Sequence, residues 1–449
     1  MLAVAPISAC TTEAPPTKSA PVPSSPSPPT ATPAATKTTS LTPNPTSFFR
    51  TPRSVAMSSD VPARVACEVA PGRTLRLTKL DGTTAYGYES DLTPYSERDD
   101  DRGTPQDTAL YLTACDLNTG VVKRLPTPIG YPSVEPNGTV DSAAVIVDID
   151  QGRLLLYGER FLSRATPDAY LLDAASGNVE PIAGFIDRHV QPVAIEGDLV
   201  IGSQTLETSD SQTVAAVLRL GSDDFRLLTP NDIGSAGSWI EPVEIRNRIV
   251  VGDIEGGDTT LPGAVWAYRL DGSVPIEAPQ ALRAASATVT GFDGGTIVGY
   301  AYSTGTGVPQ PFAWNIREPD ATWLPLPKNR TGATAWEVRE GLVIGNTYGR
   351  DSGDGEPSWH REKRGIVWDL RSGAFLDLGM GPADLSGTLV ADTGLPPESI
   401  VAAVDGHRIL GFLGDSLESY PAFYFPASIS SFGGTPVVWD ISAWLASIR

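Results

Sequence analysis

"GGTIVGYAYSTGTGVPQPFAWN", residues 294–315, joins an apolar run around a glycine to a polar loop, then to an apolar run rich in aromatics. Its apolar-Gly core recurs along the chain as "TAYGY" (Gly87), "LLYGE" (Gly158), "LVIGS" (Gly202) and "IVVGD" (Gly252). It continues as "IVGYA" (Gly299), "LVIGN" (Gly345) and "ILGFL" (Gly411). The spacings are 71, 44, 50, 47, 46 and 66 residues. A period in the high forties with two insertions belongs to propellers and solenoids. Each unit also splits into four short apolar runs. In the sixth these are "TAWEV", "LVIGNTY", "GIVWDL" and "AFLDLG", separated by "REG", a long loop and "RSG". Gly-rich and Asp-Gly dipeptides between alternating apolar runs are hairpin signals. Helical periodicity with caps is missing except at the final "ISAWLASIR".

These units predict an all-β chain: a seven-bladed β-propeller of four-stranded antiparallel blades spanning residues 62–449. One blade cannot bury both faces alone, whereas a closed ring stacks each blade between two neighbours and leaves little open edge. Val265, Trp266, Phe312, Trp314, Val367, Trp368, Val438 and Trp439 are expected between blades, the usual place for such aromatics. The segment "ARVACEV" (63–69) precedes the first unit. It is either an extra strand closing the ring against the last blade or a lead-in.

The fifth unit resembles the HAF repeat of bacterial exported proteins, an "IVG…AFxW" pattern. "VWDLRSG" (367–373) and "CDLNTG" (115–120) resemble third-strand endings of WD-type and quinoprotein-type propellers. The resemblance implies propeller architecture and export. It names no activity, because propellers host binding modules and enzymes alike.

The N-terminal residues carry a different signal. "ISAC", ending at Cys10, resembles the lipobox of bacterial lipoproteins, in which the cysteine is lipidated. Only nine residues precede it, a truncated signal region (1–10) with no Lys or Arg. Residues 11–61 are dominated by Pro, Ser, Thr and Ala, lack an apolar face, and read as a disordered tether. Lipidation of Cys10 would leave Cys67 and Cys115, an even count that suits a disulfide in an oxidising compartment. The expected location is thus the outer face of the bacterial cytoplasmic membrane or the cell surface, held by a lipid anchor.

The net charge is −20, and residues 11–60 are net basic, so the acidic balance lies in the body. An acidic body repels phosphate backbones, which disfavours nucleic acid as a partner. No apolar stretch is long enough for a membrane-spanning helix.

Loops between second and third strands share one face with the connectors between blades. His189 and His360 fall on that face and His407 on the opposite one, which argues against a three-histidine metal site. Two loops on the shared face are long. "YESDLTPYSERDDDRGTPQDT" (88–108) includes Asp99, Asp100 and Asp101. "NTYGRDSGDGEPSWHREKRG" (346–365) includes Asp351, Asp354, Glu356, Trp359 and His360. Carboxylates beside an aromatic suit a glycan or a cationic ligand.

"DIDQG" (148–152) and "DSGDGE" (351–356) echo calcium loops without completing an EF-hand set, and "DIDQG" also sits where a hairpin turn is required. No metal site or cofactor is expected, calcium remaining a weakly supported alternative. No GxSxG elbow, P-loop, HExxH or CxxC pair occurs. The leading expectation is therefore a monomeric binding module for a protein or glycan at the cell envelope. The alternatives are a glycan hydrolase or lyase using loop carboxylates, and a purely structural envelope protein.

Overall fold

The computed structural model describes residues 56–57 and 61–449, apart from 71–72, 93–106, 129–132, 135–139, 161–167, 207–211, 234–238, 256–263, 285, 303–307, 350–362, 380–397 and 415–433. Within them the chain forms seven sheets, each a meander of antiparallel strands. The first strands of blades 1 to 7 are Arg73–Asp81, Val140–Asp150, Gln191–Glu196, Trp239–Arg246, Ser286–Asp293, Gly332–Arg339 and Glu398–Asp405. Each is an end strand of its blade's four, with Ser133–Val134 added beyond it in blade 2, and each touches the first strands of the blades before and after it, so the seven close an inner ring. The sequence-predicted seven-bladed β-propeller is the observed fold.

One local device repeats in every blade. The first strand carries a β-bulge two or three residues before its turn, at 77/79, 146/148, 192/194, 242/244, 289/291, 335/337 and 401/403. In six blades the second-strand residue facing the start of the bulge is the repeat glycine: Gly87, Gly202, Gly252, Gly299, Gly345 or Gly411. The bulge turns a first-strand carbonyl inward. A Cβ on Gly299 would overlap the carbonyl oxygen of Thr288, and one on Gly345 that of Thr334. The recurring glycine is thus the space that the bulge consumes. Blade 2 departs from the register implied by the sequence spacing. There Leu156 faces Ile146 beside the bulge, and Gly158 lies two residues further along, opposite Ala144.

The core is not one mass but seven layers, one in each seam between neighbouring blades. The third-strand tryptophans fill four of them, each facing the preceding blade. Trp266 packs on blade 3, Trp314 on blade 4, Trp368 on blade 5 and Trp439 on blade 6. Trp314, Trp368 and Trp439 are among the largest fully buried side chains.

A polar clasp accompanies each apolar layer. The last residue of a first strand, where it is acidic, accepts a backbone N–H from the next blade's turn. Asp81 takes Gly152 (2.9 Å), Asp150 takes Gly197 (2.9 Å), Glu196 takes Asn247 and Arg248, Asp293 takes Glu340 (2.6 Å), and Asp405 takes Gly82. Blades 4 and 6 place Arg246 and Arg339 at this position instead. Their clasps come from the residue after the second-strand glycine: Asp253 accepts from Val289 (2.7 Å) and Asn346 from Val401 (3.1 Å). All seven seams are therefore tied by a side-chain acceptor to a backbone donor, buried at Val289 and Val401 and in an exposed or half-exposed turn in the other five.

Blade 7 supplies only three strands in sequence. Its fourth is Ala63–Val65, antiparallel to Gly434–Asp440, so of the two readings of "ARVACEV" the ring-closing strand is the observed one. Just beyond it, Cys67 is disulfide-bonded to Cys115 on the third strand of blade 1. Arg64 adds a bond to the Leu117 carbonyl at 2.8 Å. Inside the segment read as a tether, Ala56–Met57 pairs in parallel with Phe375–Leu376 on the outer strand of blade 6. Residues 56–67 thus bind blades 6, 7 and 1 in turn.

Two expectations follow. Replacing Cys67 and Cys115 together by Ser should lower stability by about 2–5 kcal/mol, the range for cross-links closing loops of this size, read from urea unfolding of the otherwise intact chain. Gly345→Ala should cost more than about 3 kcal/mol, since the added methyl meets main chain that cannot yield. A cost for G345A below about 1 kcal/mol would show that the bulge relaxes freely.

Candidate functional site

Asp99, Asp100, Asp101, Asp351, Asp354, Glu356, Trp359 and His360 lie outside the described residues, as does Cys10. The described strands shorten the two predicted loops. Blade 1's second strand runs to Leu92 and its third starts at Asp107, while blade 6's corresponding strands end at Tyr348 and start at Arg364. Both insertions therefore leave from equivalent strand ends. His189 follows a short helix (Ala183–Ile186) in the connector after blade 2, and His407 sits in the first turn of blade 7, as the sequence reading placed them. Their separation along the fold brings no metal set together, and the described residues hold no group of three His, Cys, Asp or Glu arranged for a metal ion.

Some residues assigned to the loops are scaffold. Glu89 is a second-strand residue, only 4% exposed. It accepts from Arg124 Nε (2.8 Å) and Arg73 Nη1 (2.5 Å), and Arg124 also lies 3.6 Å over the Tyr111 ring. The Arg124 guanidinium, with Arg73 beside it, holds the Glu89 carboxyl below its ordinary value. Lys363, within the second long loop as read from sequence, is 3% exposed, and its N–H donates to buried Glu398 of blade 7 at 3.2 Å. These polar groups pin the roots of the two insertions.

"DIDQG" is a turn, as expected. Asp148 accepts the Ile195 N–H (2.9 Å), Asp150 the Gly197 N–H, and Gln151–Gly152 has the paired positive φ of a tight hairpin.

The group that sequence reasoning missed faces the axis of the ring. Two residues before the first turn, blades 1, 2, 4 and 6 carry Lys79, Asp148, Glu244 and Glu337, while blades 3, 5 and 7 carry Ala194, Gly291 and Ala403. The small residues leave room for the long ones. Arg246 of blade 4 pairs with Glu244 (3.1 Å), donates to the Ile195 carbonyl of blade 3 (2.9 Å) and comes within 3.8 Å of Asp148 of blade 2. Glu337 accepts the Val404 N–H of blade 7 at 3.2 Å. A short strand, Ser133–Val134, pairs with the inner edge of blade 2's first strand near its start, the end remote from this cluster. Aligning the seven first strands on their bulges would have put these charges in one column.

Burial raises both glutamates. Glu244 is pushed up to about 8, with Asp148 adding to the rise and Arg246 opposing it. Glu337 is pushed up to about 7, with Lys79 and Arg339 opposing and Asp148 adding. The Glu244 side chain keeps 18% of its surface accessible, yet its surroundings strip most of its hydration. Glu244 in turn raises Arg246, the largest influence on that guanidinium. Two carboxyls raised by burial and flanked by cationic side chains are suited to taking up a proton.

No family model matches the chain, and no curated protein does. Among solved structures, the chain is similar to the β-propeller domain of the trilobed protease from Pyrococcus furiosus, whose title describes an open velcro topology. The TM-score is 0.50 at 8% identity, over 83% of this chain and 95% of that domain. It is also similar to an acylaminoacyl peptidase in complex with Z-Gly-Gly-Phe-chloromethyl ketone (TM-score 0.48, 10% identity, 76% of this chain). A puromycin-hydrolyzing peptidase of Mycobacterium tuberculosis matches at TM-score 0.48 and 11% identity, over 85% of this chain. The match spans about half the length of each of these two peptidases, 49% and 54%. At these identities the likeness is one of fold: the chain is a β-propeller.

Because folded Glu244 and Glu337 bind protons more tightly than their ordinary value of 4.5, the native state holds more protons between about pH 4.5 and 8. Stability should therefore fall as pH rises through that window, by an amount on the order of 3 kcal/mol per carboxyl. Thermal melts of wild type and Glu244→Gln between about pH 5 and 9 test this; a wild-type melting curve that does not move contradicts it. Glu89→Ala should cost about 1–2 kcal/mol, because both arginines are over a third exposed and rehydrate; a loss above about 4 kcal/mol in urea unfolding would show the pair to be buried.

Proposed function

We propose that the chain is a binding module of the bacterial cell envelope, in which a rigid propeller presents the insertions 93–106 and 350–362 to a glycan or protein partner. The observation that carries the reading is the ring closed by strand pairing. Its seven seams are clasped, its last blade is strapped by residues 63–65 and bolted by Cys67–Cys115, and both insertions spring from equivalent strand ends. Such a scaffold holds loops without spending folding energy on them. The disulfide suits an oxidising compartment. The Pro/Ser/Thr/Ala segment 11–61 and the HAF-like fifth unit favour export, and "ISAC" at Cys10 favours a lipid anchor. Asp99, Asp100, Asp101, Asp351, Asp354, Glu356, Trp359 and His360 are the proposed contact residues.

A second reading, a hydrolase or lyase of glycans, is favoured by Glu244 and Glu337. Carboxyls held protonated near neutral pH are what general-acid catalysis requires.

Cell-wall polysaccharides, offered to the intact chain with and without calcium, separate these. We expect binding without turnover, lost when 93–106 and 350–362 are both replaced by short Asn-Gly turns while the melting temperature is kept. Binding that survives the double replacement contradicts the site assignment. Turnover abolished by Glu244→Gln or Glu337→Gln replaces the module with the enzyme.

A further inference from the structure

Among the described residues, the exposed large hydrophobic side chains are Val121, Trp239, Val274 and Tyr302. They divide by face. Val121 opens the fourth strand of blade 1 (Val121–Arg124) and Val274 that of blade 4 (Val274–Ile276), so both stand on the face of the tight turns. Trp239 opens the first strand of blade 4, and Tyr302 closes the second strand of blade 5 (Thr296–Tyr302). Both aromatic rings therefore stand on the face from which the insertions leave.

Tyr302 is backed by two further rings. It meets Tyr300 edge to face at 5.7 Å, and Tyr300 meets Trp336 of blade 6 edge to face at 6.1 Å. Val298, on the same side of the strand as both tyrosines, belongs to the layer between blades 5 and 6, so the file leads from the rim into that seam. Trp336 is the residue that the bulge adds to blade 6, where the other six blades carry Thr, Val or Ala. Its indole N–H is buried without an acceptor, whereas those of Trp266, Trp314 and Trp368 each reach a carbonyl. A bulky residue with an unmet donor weakens a fold, so seam packing does not account for it. What it does is fix Tyr300, and through Tyr300 the exposed ring of Tyr302.

We propose that Tyr302, backed by Tyr300 and Trp336, and Trp239 on the neighbouring blade are stacking platforms for an uncharged glycan on the insertion face. The proposal rests on the binding-module reading above and selects the glycan from its two partners. A pyranose ring lays its flat C–H face on an aromatic ring and keeps its hydroxyls in water, so it needs separate, rigid rings. A protein partner needs an apolar core of adjoining side chains, and the described part of this face exposes no large aliphatic one. The net charge of −20 selects against polyanionic glycans. Trp239 and Tyr302 sit on adjacent blades, and stacked sheets lie about 10 Å apart. A chain of sugars touches both rings, and a monosaccharide does not.

Calorimetry on the full chain with cellohexaose, laminarihexaose, maltohexaose and chitohexaose tests this, with glucose and an oligogalacturonate as controls. At least one hexaose should bind, and neither control should. Tyr302→Ala and Trp239→Ala should each weaken that binding about tenfold, the loss of one ring contact. Tyr302→Phe keeps the ring and should stay within about twofold of wild type. Both side chains are exposed, so the melting temperature should hold in all three variants. Binding by none of the four, binding unchanged in both alanine variants, or oligogalacturonate bound as tightly as the hexaose overturns the proposal. Binding lost on replacing 93–106 and 350–362 but intact in Y302A and W239A keeps the module and removes the platforms. The converse keeps the platforms and removes the insertions. Should no hexaose bind while p-benzoylphenylalanine at position 302 cross-links one protein in intact cells, the face belongs to a protein partner instead.

Discussion

The fold depends on the contact between one blade and the next. A four-stranded blade has two faces and too few residues to bury either, so its stability is borrowed from its neighbours. The seam answers this in two parts. An apolar layer, often around a third-strand tryptophan, supplies the driving force from burial. A carboxylate or amide reaching across to a backbone N–H supplies the register. The apolar part alone would tolerate sliding of one blade on another. The polar part does not, because each acceptor meets its backbone donor in one register only.

A ring built of such seams has one weak place, where the chain's two ends must meet. Here the problem is solved at the rim. Residues 63–65 complete blade 7, Cys67 is bolted to blade 1, and the C-terminal helix covers the seam between blades 6 and 7. Opening the ring therefore requires more than separating two sheets. It requires peeling residues 63–65 from the third strand of blade 7.

The blade number was legible because the first-strand bulge forces a glycine into the second strand, and glycine is easy to see. The reading slipped where that link failed. In blade 2 the bulge faces Leu156, and the nearest glycine, Gly158, marks a neighbouring register. Trp266, Trp314, Trp368 and Trp439 were legible as seam residues for a similar reason: a large aromatic on an alternating strand has nowhere else to go. The channel charges were not legible in the same way. Lys79, Asp148, Glu244 and Glu337 are unremarkable at hairpin ends in a linear reading, and they meet only because seven separate strands converge on one axis. Glu89 and Lys363 misled in the opposite sense, being charged residues beside long loops that the sheet in fact buries.

The claim that the rest of the account stands on is a ring closed by the strap and fixed by Cys67–Cys115. Alkylation of the protein in its own cells before lysis, followed by peptide mapping without and then with reductant, tests it most directly. The account predicts a cross-linked pair of peptides, one containing Cys67 and one containing Cys115, with neither cysteine alkylated until reductant is added. Both cysteines alkylated in the absence of reductant would contradict it.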